Sequence, residues 1–520
     1  LSELNISGDT ELKCASLNAS ASQNYGAKLL ISRPSGEQTE LSGTEIKLSG
    51  DVSGSDLFIV GKTTVQSSKN IKISCNLTST KEFTNNGTVD FNGGSSQSLV
   101  LESDLINSSL NTNDFLPPEI TKIRGTAQTK ISGVNIFKNL IIENTDTAVQ
   151  KIVIFPINDR SSAGTGIIIN GNFTVDGKNL STPSGGKNIL IKSDNVLYSE
   201  TDTDWWWLEN VTGTVSVNNA EIGNAYSEND ISANVVNCKE LLASDTQAYT
   251  TYHWFSGHQF YWFGYTDSAW GTSGNWSVLS DGSKTLNVSP RKDDETALIT
   301  IVQGSLLDST NLLVLDSDLS VKKVTVNENV RINLQGHKIS ADEIFNNGTV
   351  AVNGQNVTPL SVRSGAINNI HHSAESFVEF LNWNGNSIQT TYSGLGLDNA
   401  FENVLLTDSQ DFDFADSRLL KVNGNMKSNA SVGKNKPVTG VQVSGNCEFN
   451  NTQINSSGNQ SYTGAVKLNN ANILFTAVSA GVKQNVVFGN SVTGTGSNVL
   501  TLDSNVQFNG NVSAFGVLTV

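Results

Sequence analysis

The chain has 520 residues, of which 37% are hydrophobic and 16% are charged, and its formal net charge at pH 7 is −16. An acidic chain lacks the basic face that a nucleic-acid backbone requires, and it is equally unsuited to electrostatic docking on anionic lipid. The sequence contains no apolar run of about 18 residues, so it predicts no insertion of this segment into a membrane.

Short bursts of alternating apolar residues recur along the whole chain and predict short β-strands rather than helices. They include Ile71–Ile73, Ile167–Ile169, Val215–Val217, Val324–Val326 and Thr349–Val352. Asn-Gly pairs stand between many of these bursts, and such pairs supply the left-handed backbone positions that tight turns need. The composition therefore favours stacked strands joined by polar turns over disorder.

The sequence also repeats itself, since five segments of the first half recur in the second half, in the same order and at nearly constant separation. The pairs are Asn70–Ile73 with Asn329–Ile332, Asn85–Val89 with Asn346–Val350, Phe137–Ile142 with Phe401–Leu406, Asn170–Phe173 with Asn423–Met426, and Thr212–Ile222 with Thr463–Ile473. A duplication of about half the chain predicts an array protein, whose function usually depends on reach and surface.

Two architectures suit many short strands: a right-handed parallel β-helix (β-solenoid), or a string of antiparallel β-sandwich domains. A string of sandwiches would show domain edges about every 100 residues, and no Pro-rich or charged break appears. The abundance of Asn favours the β-helix, because stacked Asn side chains can hydrogen-bond from coil to coil. We therefore predict a β-helix with two tandem super-repeats, at residues 1–204 and 277–520, joined by a Trp-rich junction or cap at residues 205–276.

Seven of the eight tryptophans lie in that junction. They are Trp205, Trp206, Trp207, Trp254, Trp262, Trp270 and Trp276. Exposed rings would form a platform that stacks on sugars, whereas buried rings would cap the open end of a coil stack, where unpaired strand edges need cover. The residues alone leave both interpretations open. His253 and His258, which flank Trp254, are expected to hydrogen-bond within this aromatic region.

One part of the junction resembles a recurrent segment of very large bacterial surface proteins. It comprises Trp262-Phe263-Gly264, Trp270, Gly274-Asn275-Trp276-Ser277, Pro290 and Asp293–Ala297 before Ile299-Thr300-Ile301. The flanking repeats resemble haemagglutinin-like and autotransporter-passenger β-helices. The resemblance implies a secreted, cell-surface protein that acts in adhesion or envelope architecture, and it brings no catalytic residues.

Parallel β-helices also carry polysaccharide-degrading sites, which need carboxylates clustered on adjacent coils. The densest acidic group is Asp408, Asp411, Asp413 and Asp416; Asp411 and Asp413 share one strand face and form a weak candidate for a metal or acid-base site. Asp202 and Asp204 precede Trp205, where a turn is the simpler interpretation. His371 and His372 are adjacent and would point to opposite strand faces, which disfavours a metal site.

The four cysteines, Cys14, Cys75, Cys238 and Cys447, are widely spaced and match no zinc motif. Free thiols and disulfides are both compatible with the sequence. The chain starts at Leu1 without a signal peptide and stops in an apparent strand at Phe515–Val520, so we expect a fragment of a longer protein. N-glycosylation sequons are numerous, with Asn5 and Asn511 among them. They would be glycan acceptors in a secreted eukaryotic protein, whereas chance is the simpler explanation in so Asn-rich a chain.

The sequence thus predicts a non-enzymatic, extracellular structural or adhesive protein of a bacterial surface, without a cofactor. Its partners would be a host or neighbouring cell surface, glycans, or like copies in a filament. The alternative is a β-helix that binds or degrades polysaccharide with the Trp-rich segment and the Asp cluster.

Overall fold

The structure is a computed structural model. It describes residues 3–34, 36–91, 97–108, 114–158, 160, 162–183, 185–194, 202–243, 249–286, 289–295, 297–302, 312–352, 360–363, 370–373, 376–380, 401–407, 419–450, 453–469 and 472–520. Strand covers 52% of the chain and helix 2%, and parallel strands stack into a β-solenoid of about 19 turns, a right-handed parallel β-helix. The fold prediction is confirmed. The alternative of antiparallel sandwiches is wrong, because the described strands pair in parallel apart from two short hairpin-like pairs and a few isolated bridges.

The chain divides into two compact units, Leu1–Ser256 and Gly257–Val520. The division falls inside the segment 205–276 that the sequence assigned to a junction, so the tryptophans are shared between the two units. Among the described residues, no helix is long and apolar enough to cross a membrane.

The strands of unit 1 follow in chain order. They are β1 (Leu4–Ile6), β2 (Thr10–Leu12), β3 (Ser16–Asn18), β4 (Ser22–Tyr25), β5 (Leu29–Ile31), β6 (Gln38–Leu48), β7 (Val52–Gly54), β8 (Asp56–Val65), β9 (Asn70–Lys72), β10 (Leu77–Ser79), β11 (Phe83–Asn85), β12 (Thr88–Asp90), β13 (Ser98–Leu101), β14 (Leu105–Asn107), β15 (Phe115–Leu116), β16 (Ile120–Ile123), β17 (Thr129–Ser132), β18 (Ile136–Phe137), β19 (Asn139–Glu143), β20 (Lys151–Phe155), β21 (Ile167–Ile169), β22 (Phe173–Asp176), β23 (Ile189–Ser193), β24 (Trp206–Val211), β25 (Val215–Asn218), β26 (Ala220–Ile222), β27 (Ala225–Ser227), β28 (Val235–Val236), β29 (Lys239–Glu240) and β30 (Thr251–Tyr252).

From β10 onward, each coil of unit 1 contributes three strands, one to each of three parallel strand lines. The first line runs β10-β13-β16-β19-β22-β25-β28, the second runs β11-β14-β17-β20-β23-β26-β29, and the third includes β18-β21-β24-β27-β30. The long strands β6 and β8 each serve the first two lines. Like side chains stack in the interior, as where Leu57, Leu77 and Leu99 pair in register. This stacking removes apolar side chains from water along the whole unit.

The strands of unit 2 also follow in chain order. They are β31 (Gln259–Trp262), β32 (Trp276–Ser277), β33 (Leu298–Ile301), β34 (Leu312–Val314), β35 (Leu319–Ser320), β36 (Lys323–Val326), β37 (Arg331–Asn333), β38 (Ile339–Ala341), β39 (Glu343–Asn346), β40 (Thr349–Val352), β41 (Leu360–Val362), β42 (Ile370–His372), β43 (Phe377–Phe380), β44 (Val404–Leu406), β45 (Leu419–Val422), β46 (Met426–Ser428), β47 (Gly440–Val443), β48 (Cys447–Phe449), β49 (Gln453–Ser456), β50 (Gln460–Tyr462), β51 (Val466–Leu468), β52 (Asn472–Ser479), β53 (Val482–Lys483), β54 (Asn485–Phe488), β55 (Val492–Thr493), β56 (Val499–Asp503), β57 (Asn505–Phe508), β58 (Val512–Ser513) and β59 (Val517–Thr519). Short 3-10 turns lie at Asp202–Asp204 and Ser232–Asn234 in unit 1, and at Ser273–Asn275 in unit 2.

Unit 2 is organised in the same way around a ten-stranded parallel line, β34-β37-β40-β43-β44-β46-β48-β51-β55-β58. A five-stranded line, β45-β47-β50-β54-β57, and a four-stranded line, β49-β52-β56-β59, flank its later coils. Within these coils, aromatic rings stack in the interior, with Tyr462 and Phe488 at 5.4 Å and Phe488 and Phe508 at 5.2 Å between ring centroids.

The structure corrects the register of the first sequence repeat. Val89 pairs with Ile71 in unit 1, and Val350 pairs with Ile332 in unit 2. The separation along the chain is the same for Val89 and Val350 as for Ile71 and Ile332, so the true counterpart of Ile71 is Ile332 rather than Val330. The first two duplicated segments therefore stack on each other in the same way in the two units.

Asparagine side chains connect successive coils in both units, as the Asn content predicted. In unit 2 the Asn403 Oδ1 accepts a hydrogen bond from the Asn425 backbone N–H at 2.6 Å, and Asn425 Oδ1 does the same for Asn446 at 2.9 Å. In unit 1 Asn139 Oδ1 accepts from the Asn172 N–H at 2.9 Å. We call this arrangement the asparagine ladder.

The glycines of two Asn-Gly pairs, Gly171 and Gly424, serve a different purpose from the one that the sequence predicted. Gly171 and Gly424 do not have positive φ; instead, a Cβ there would lie 2.6 Å and 2.2 Å from Oδ1 of Asn139 and Asn403, respectively. Glycine is therefore required because the preceding coil approaches too closely for any side chain.

Candidate functional site

All seven tryptophans of the Trp-rich segment are buried, and none is more than 6% exposed. The hypothesis of a sugar-stacking platform needs open ring faces, so this geometry corrects it and favours the packing interpretation. The seven are Trp205, Trp206, Trp207, Trp254, Trp262, Trp270 and Trp276.

In unit 1 the rings of Trp206 and Trp254 pack inside the hydrophobic core of the last coils. Their centroids lie 5.2 Å apart, and Phe155 lies 4.7 Å from Trp206. The neighbouring Trp207 points away from the interior, but the chain at Gly166 crosses its ring closely enough that a Cβ there would lie 2.8 Å from it. The Glu209 carboxylate holds the Gly164–Gly166 segment over the Trp207 ring. It accepts hydrogen bonds from the Gly164 N–H at 2.6 Å and from the Gly166 N–H at 2.9 Å.

In unit 2 the motif residues Trp270, Asn275 and Trp276 pack around one another, together with Pro290. The indole N–H of Trp276 donates to the Trp270 carbonyl at 2.7 Å, and that of Trp270 donates to the Pro290 carbonyl at 2.8 Å. The buried Asn275 accepts from the Thr266 N–H at 2.8 Å and donates to the carbonyls of Asp267 and Ala269. The spacing of these residues along the chain therefore allows them to pack together at the start of unit 2.

The remaining predicted site residues do not converge. His253 contacts the Ser227 carbonyl at 3.0 Å in unit 1, whereas His258 belongs to unit 2. Asp202 and Asp204 form the 3-10 turn before β24, as the simpler interpretation predicted. His371 is exposed and the half-buried His372 contacts Asn346 at 3.3 Å, so the two point apart. Asp408, Asp411, Asp413 and Asp416 lie outside the described residues.

Unit 2 presents an aligned row of outward side chains on its first sheet, one from each of β31, β33, β36, β39 and β42. The row consists of Tyr261, Thr300, Thr325, Phe345 and His371, and we call it the outer strip. At roughly 4.8 Å between parallel strands, five residues extend over about 19 Å.

The outer strip is accessible, since its first four side chains are half-buried and His371 is exposed. Phe345 and His371 stack with centroids 4.6 Å apart, and Lys323 Nζ lies 4.3 Å from the Phe345 ring centroid. Lys323 also pairs with Glu343 at 3.4 Å. The strip therefore presents hydroxyls and aromatic rings, and a lysine–glutamate ion pair lies beside it. The sequence signal for the strip is the alternation of inward and outward residues along each strand. Each member of the strip directly follows a buried apolar residue of its own strand.

Three consecutive turns of unit 1 enclose a cleft of about 340 Å³ between them. We call it the turn cleft, and its walls include Glu102, Arg124, Thr126, Glu143, Thr145 and Asp146. Arg124 Nε lies 3.1 Å from Glu102 Oε1, and Lys122 Nζ lies 3.4 Å from Glu143 Oε2.

A fully buried lysine, Lys151, lies next to the turn cleft at the start of β20. Its Nζ donates to the Ala127 carbonyl at 2.5 Å and to Thr129 Oγ1 at 2.7 Å, and it lies 3.4 Å from the Glu102 carbonyl. Burial lowers the pKa of Lys151 to about 8, against the opposing influence of Glu102 and Asp104. The ammonium therefore ties its own coil to the two preceding ones.

Comparison of the chain with protein-family models, with curated proteins and with solved structures finds no match. Among the described residues, no group of three or more His, Cys, Asp or Glu side chains is arranged to hold a metal ion.

Proposed function

We propose that this chain is a non-enzymatic, extracellular structural and adhesive protein of a bacterial surface. Its solenoid units would make many weak contacts with cells, matrix or like copies. The observation that carries the proposal is the outer strip, because a row of accessible side chains fixed in register on a stacked sheet repeats one kind of contact at a constant spacing.

Such a surface gives useful affinity only when many copies act together. Each half-buried Thr or aromatic side chain contributes little alone, whereas linked contacts raise the avidity by orders of magnitude. The strip lies on a sheet whose strands are hydrogen-bonded to their neighbours, so little conformational freedom is lost on contact. The resemblance of the Trp262–Ile301 segment to large surface proteins gives independent support to an extracellular location.

The experiment compares beads coated with the full chain at several densities. We expect attachment to bacterial cells, or bead-to-bead clustering, to rise more steeply than in proportion to density. A triple variant, Tyr261→Ser with Phe345→Ser and His371→Ser, should lose most of this attachment.

The matched control changes three outward residues on other strands of unit 2, Gln442→Ser with Val487→Ser and Gln507→Ser. It should attach like the wild type. Equal attachment by both triple variants, or none by the wild type at any density, contradicts the proposal. Release of reducing ends from a polysaccharide panel would contradict its non-enzymatic part.

A further inference from the structure

We propose that the turn cleft binds a neutral saccharide unit. This inference goes beyond the proposed adhesive function, and it rests on residues of unit 1 that take no part in the outer strip. The cleft is a concave site built from three consecutive coils, which contribute Glu102, Arg124 and Glu143 to its walls.

Its charges favour a neutral ligand. The Glu102 carboxylate pairs with Arg124, and Glu143 pairs with Lys122. The third wall carboxylate, Asp146, is exposed to water and accepts a hydrogen bond from the Ala148 N–H at 2.7 Å. The carboxylates would repel an anionic ligand. A cationic ligand would have to displace the Lys122 ammonium or the Arg124 guanidinium from the carboxylates that they already pair with.

Hydroxyl groups match the remaining hydrogen-bonding capacity. Each paired carboxylate keeps lone pairs that accept from a sugar hydroxyl, and Arg124 keeps N–H donors for a ring or hydroxyl oxygen. Thr126 and Thr145 add hydroxyls that both donate and accept. A volume of about 340 Å³ is at the lower end of small-molecule sites, which suits one or two sugar rings rather than a long chain segment.

The wall is held in place before any ligand arrives. Asn144 Nδ2 donates to the Asn188 carbonyl at 2.9 Å, and Asn188 Nδ2 donates back to the Asn144 and Asp146 carbonyls at 2.7 Å and 2.6 Å. Asn144 Oδ1 also accepts the Asp146 N–H at 3.0 Å. Since the lining residues that the structure describes include no aromatic ring, we expect a dissociation constant in the millimolar range.

The test is saturation-transfer difference NMR on the full chain with galactose, glucose, mannose and N-acetylglucosamine as probes. Galacturonate and calcium chloride serve as charged competitors. We expect at least one neutral sugar to receive saturation, and neither competitor to displace it at equal concentration.

Two substitutions make the test specific to the cleft. Glu143→Gln should weaken sugar binding at least fivefold, because it removes a carboxylate from the wall. Its control is Glu343→Gln in unit 2, which breaks a lysine–glutamate pair of the same 3.4 Å length whose residues do not line the cleft, and it should leave binding unchanged. Thr145→Phe fills the cleft from an exposed position and should abolish binding while thermal unfolding stays unchanged.

Saturation of no neutral sugar, or equal binding by both glutamate variants and Thr145→Phe, overturns the proposal. Displacement by galacturonate or calcium overturns its assignment to a neutral ligand. Because bead attachment depends on the outer strip, failure of either proposal is visible separately from failure of the other.

Discussion

Lys151 shows how a single residue can make a solenoid sensitive to pH. Its ammonium is buried between coils, where water cannot solvate it, and three protein oxygens lie around it instead. Burial of a charge disfavours the protonated form, which is why the pKa falls to about 8.

The contribution of Lys151 to the stability of unit 1 should therefore increase between pH 8 and about 10.5, because in that window the unfolded chain binds a proton at Lys151 that the folded chain has released. The buried Cys75 and Cys238 thiols act in the opposite direction, since burial raises their pKa values and the unfolded chain releases their protons first. At about 1.4 kcal/mol per pH unit, the gain from Lys151 between pH 7.5 and pH 10 is on the order of 2 kcal/mol, and it is the difference between the pH profiles of the wild type and a variant without the lysine. Urea denaturation of the wild type and Lys151→Met at pH 7.5 and pH 10 measures it. The variant should lack the gain, and parallel pH profiles would contradict the assignment.

The cysteines are a second feature that can be tested at single residues, since all four are free thiols. Cys14 is exposed, while burial raises the pKa of Cys75 to about 12 and also raises the pKa values of Cys238 and Cys447. The sequence left disulfides open because sequence spacing does not report distance in the fold.

Thiol labelling with Ellman's reagent at pH 8 should therefore be strongly uneven. We expect Cys14 to react fast and Cys75 and Cys447 to react only on unfolding, because three pKa units lower the thiolate fraction about a thousandfold. Cys14→Ser should remove the fast phase, and denaturant should restore four reactive thiols in the wild type. A fast phase that persists in Cys14→Ser would show that a second thiol is open.

The tryptophans show which property of a residue the sequence could not predict, namely whether its side chain is buried or exposed. Their clustering correctly marked a departure from the repeat, and Asn275, Trp270 and Trp276 do form one packed motif. Whether a ring is exposed depends on what crosses it, however, and the Gly166 segment that covers Trp207 comes from the preceding coil, far from it in sequence. The outer strip was missed for the converse reason, since its residues are individually ordinary and become a surface only through register.

At the scale of elements, the asparagine ladder and its glycines form one device. The side-chain oxygen of an Asn in one coil accepts a backbone N–H of the next, and the adjacent Gly lets the two coils approach closely enough for that bond. The ladder gives a physical reason for the presence of an Asn-Gly-Asn segment in both halves of the sequence repeat.

Gly424→Ala tests this device. Its Cβ would lie 2.2 Å from Asn403 Oδ1 and 2.7 Å from the Glu402 carbonyl, so the coils must separate and the bond to Asn425 must lengthen. We expect a loss of about 1–3 kcal/mol in the free energy of unfolding, the usual cost of overpacking. Faster hydrogen exchange across β45 and β46 should accompany it.

The control is Gly271→Ala in the same unit, where a Cβ meets nothing within 4 Å. It should change stability by no more than about 0.5 kcal/mol. Equal losses in the two variants would contradict close approach as the reason for glycine at position 424, because the effect of a Gly→Ala change on the unfolded chain alone is stabilising.

At the scale of the whole molecule, the alternation of apolar residues, the turn spacing and the duplication were sufficient to predict the β-helix. These signals are local or periodic, and each coil repeats them. The unit boundary after Ser256 could not be placed from them, because it depends on which coils contact which. The turn cleft was missed because Glu102, Arg124 and Glu143 belong to different coils and meet only when the turns stack.

The net charge of −16 makes a final prediction about association of whole chains. Like charge keeps copies apart, and salt shortens the range of this repulsion from about 30 Å at 0.01 M to about 3 Å at 1 M. Self-association should therefore strengthen as salt rises, and as the pH falls toward the isoelectric point near 4.8. Light scattering across both gradients measures it, with the triple variant of the outer strip as the control that should respond less. Weaker association at high salt would instead assign the contact to charged pairs such as Lys427 and Glu448, which alternate along the ten-stranded line.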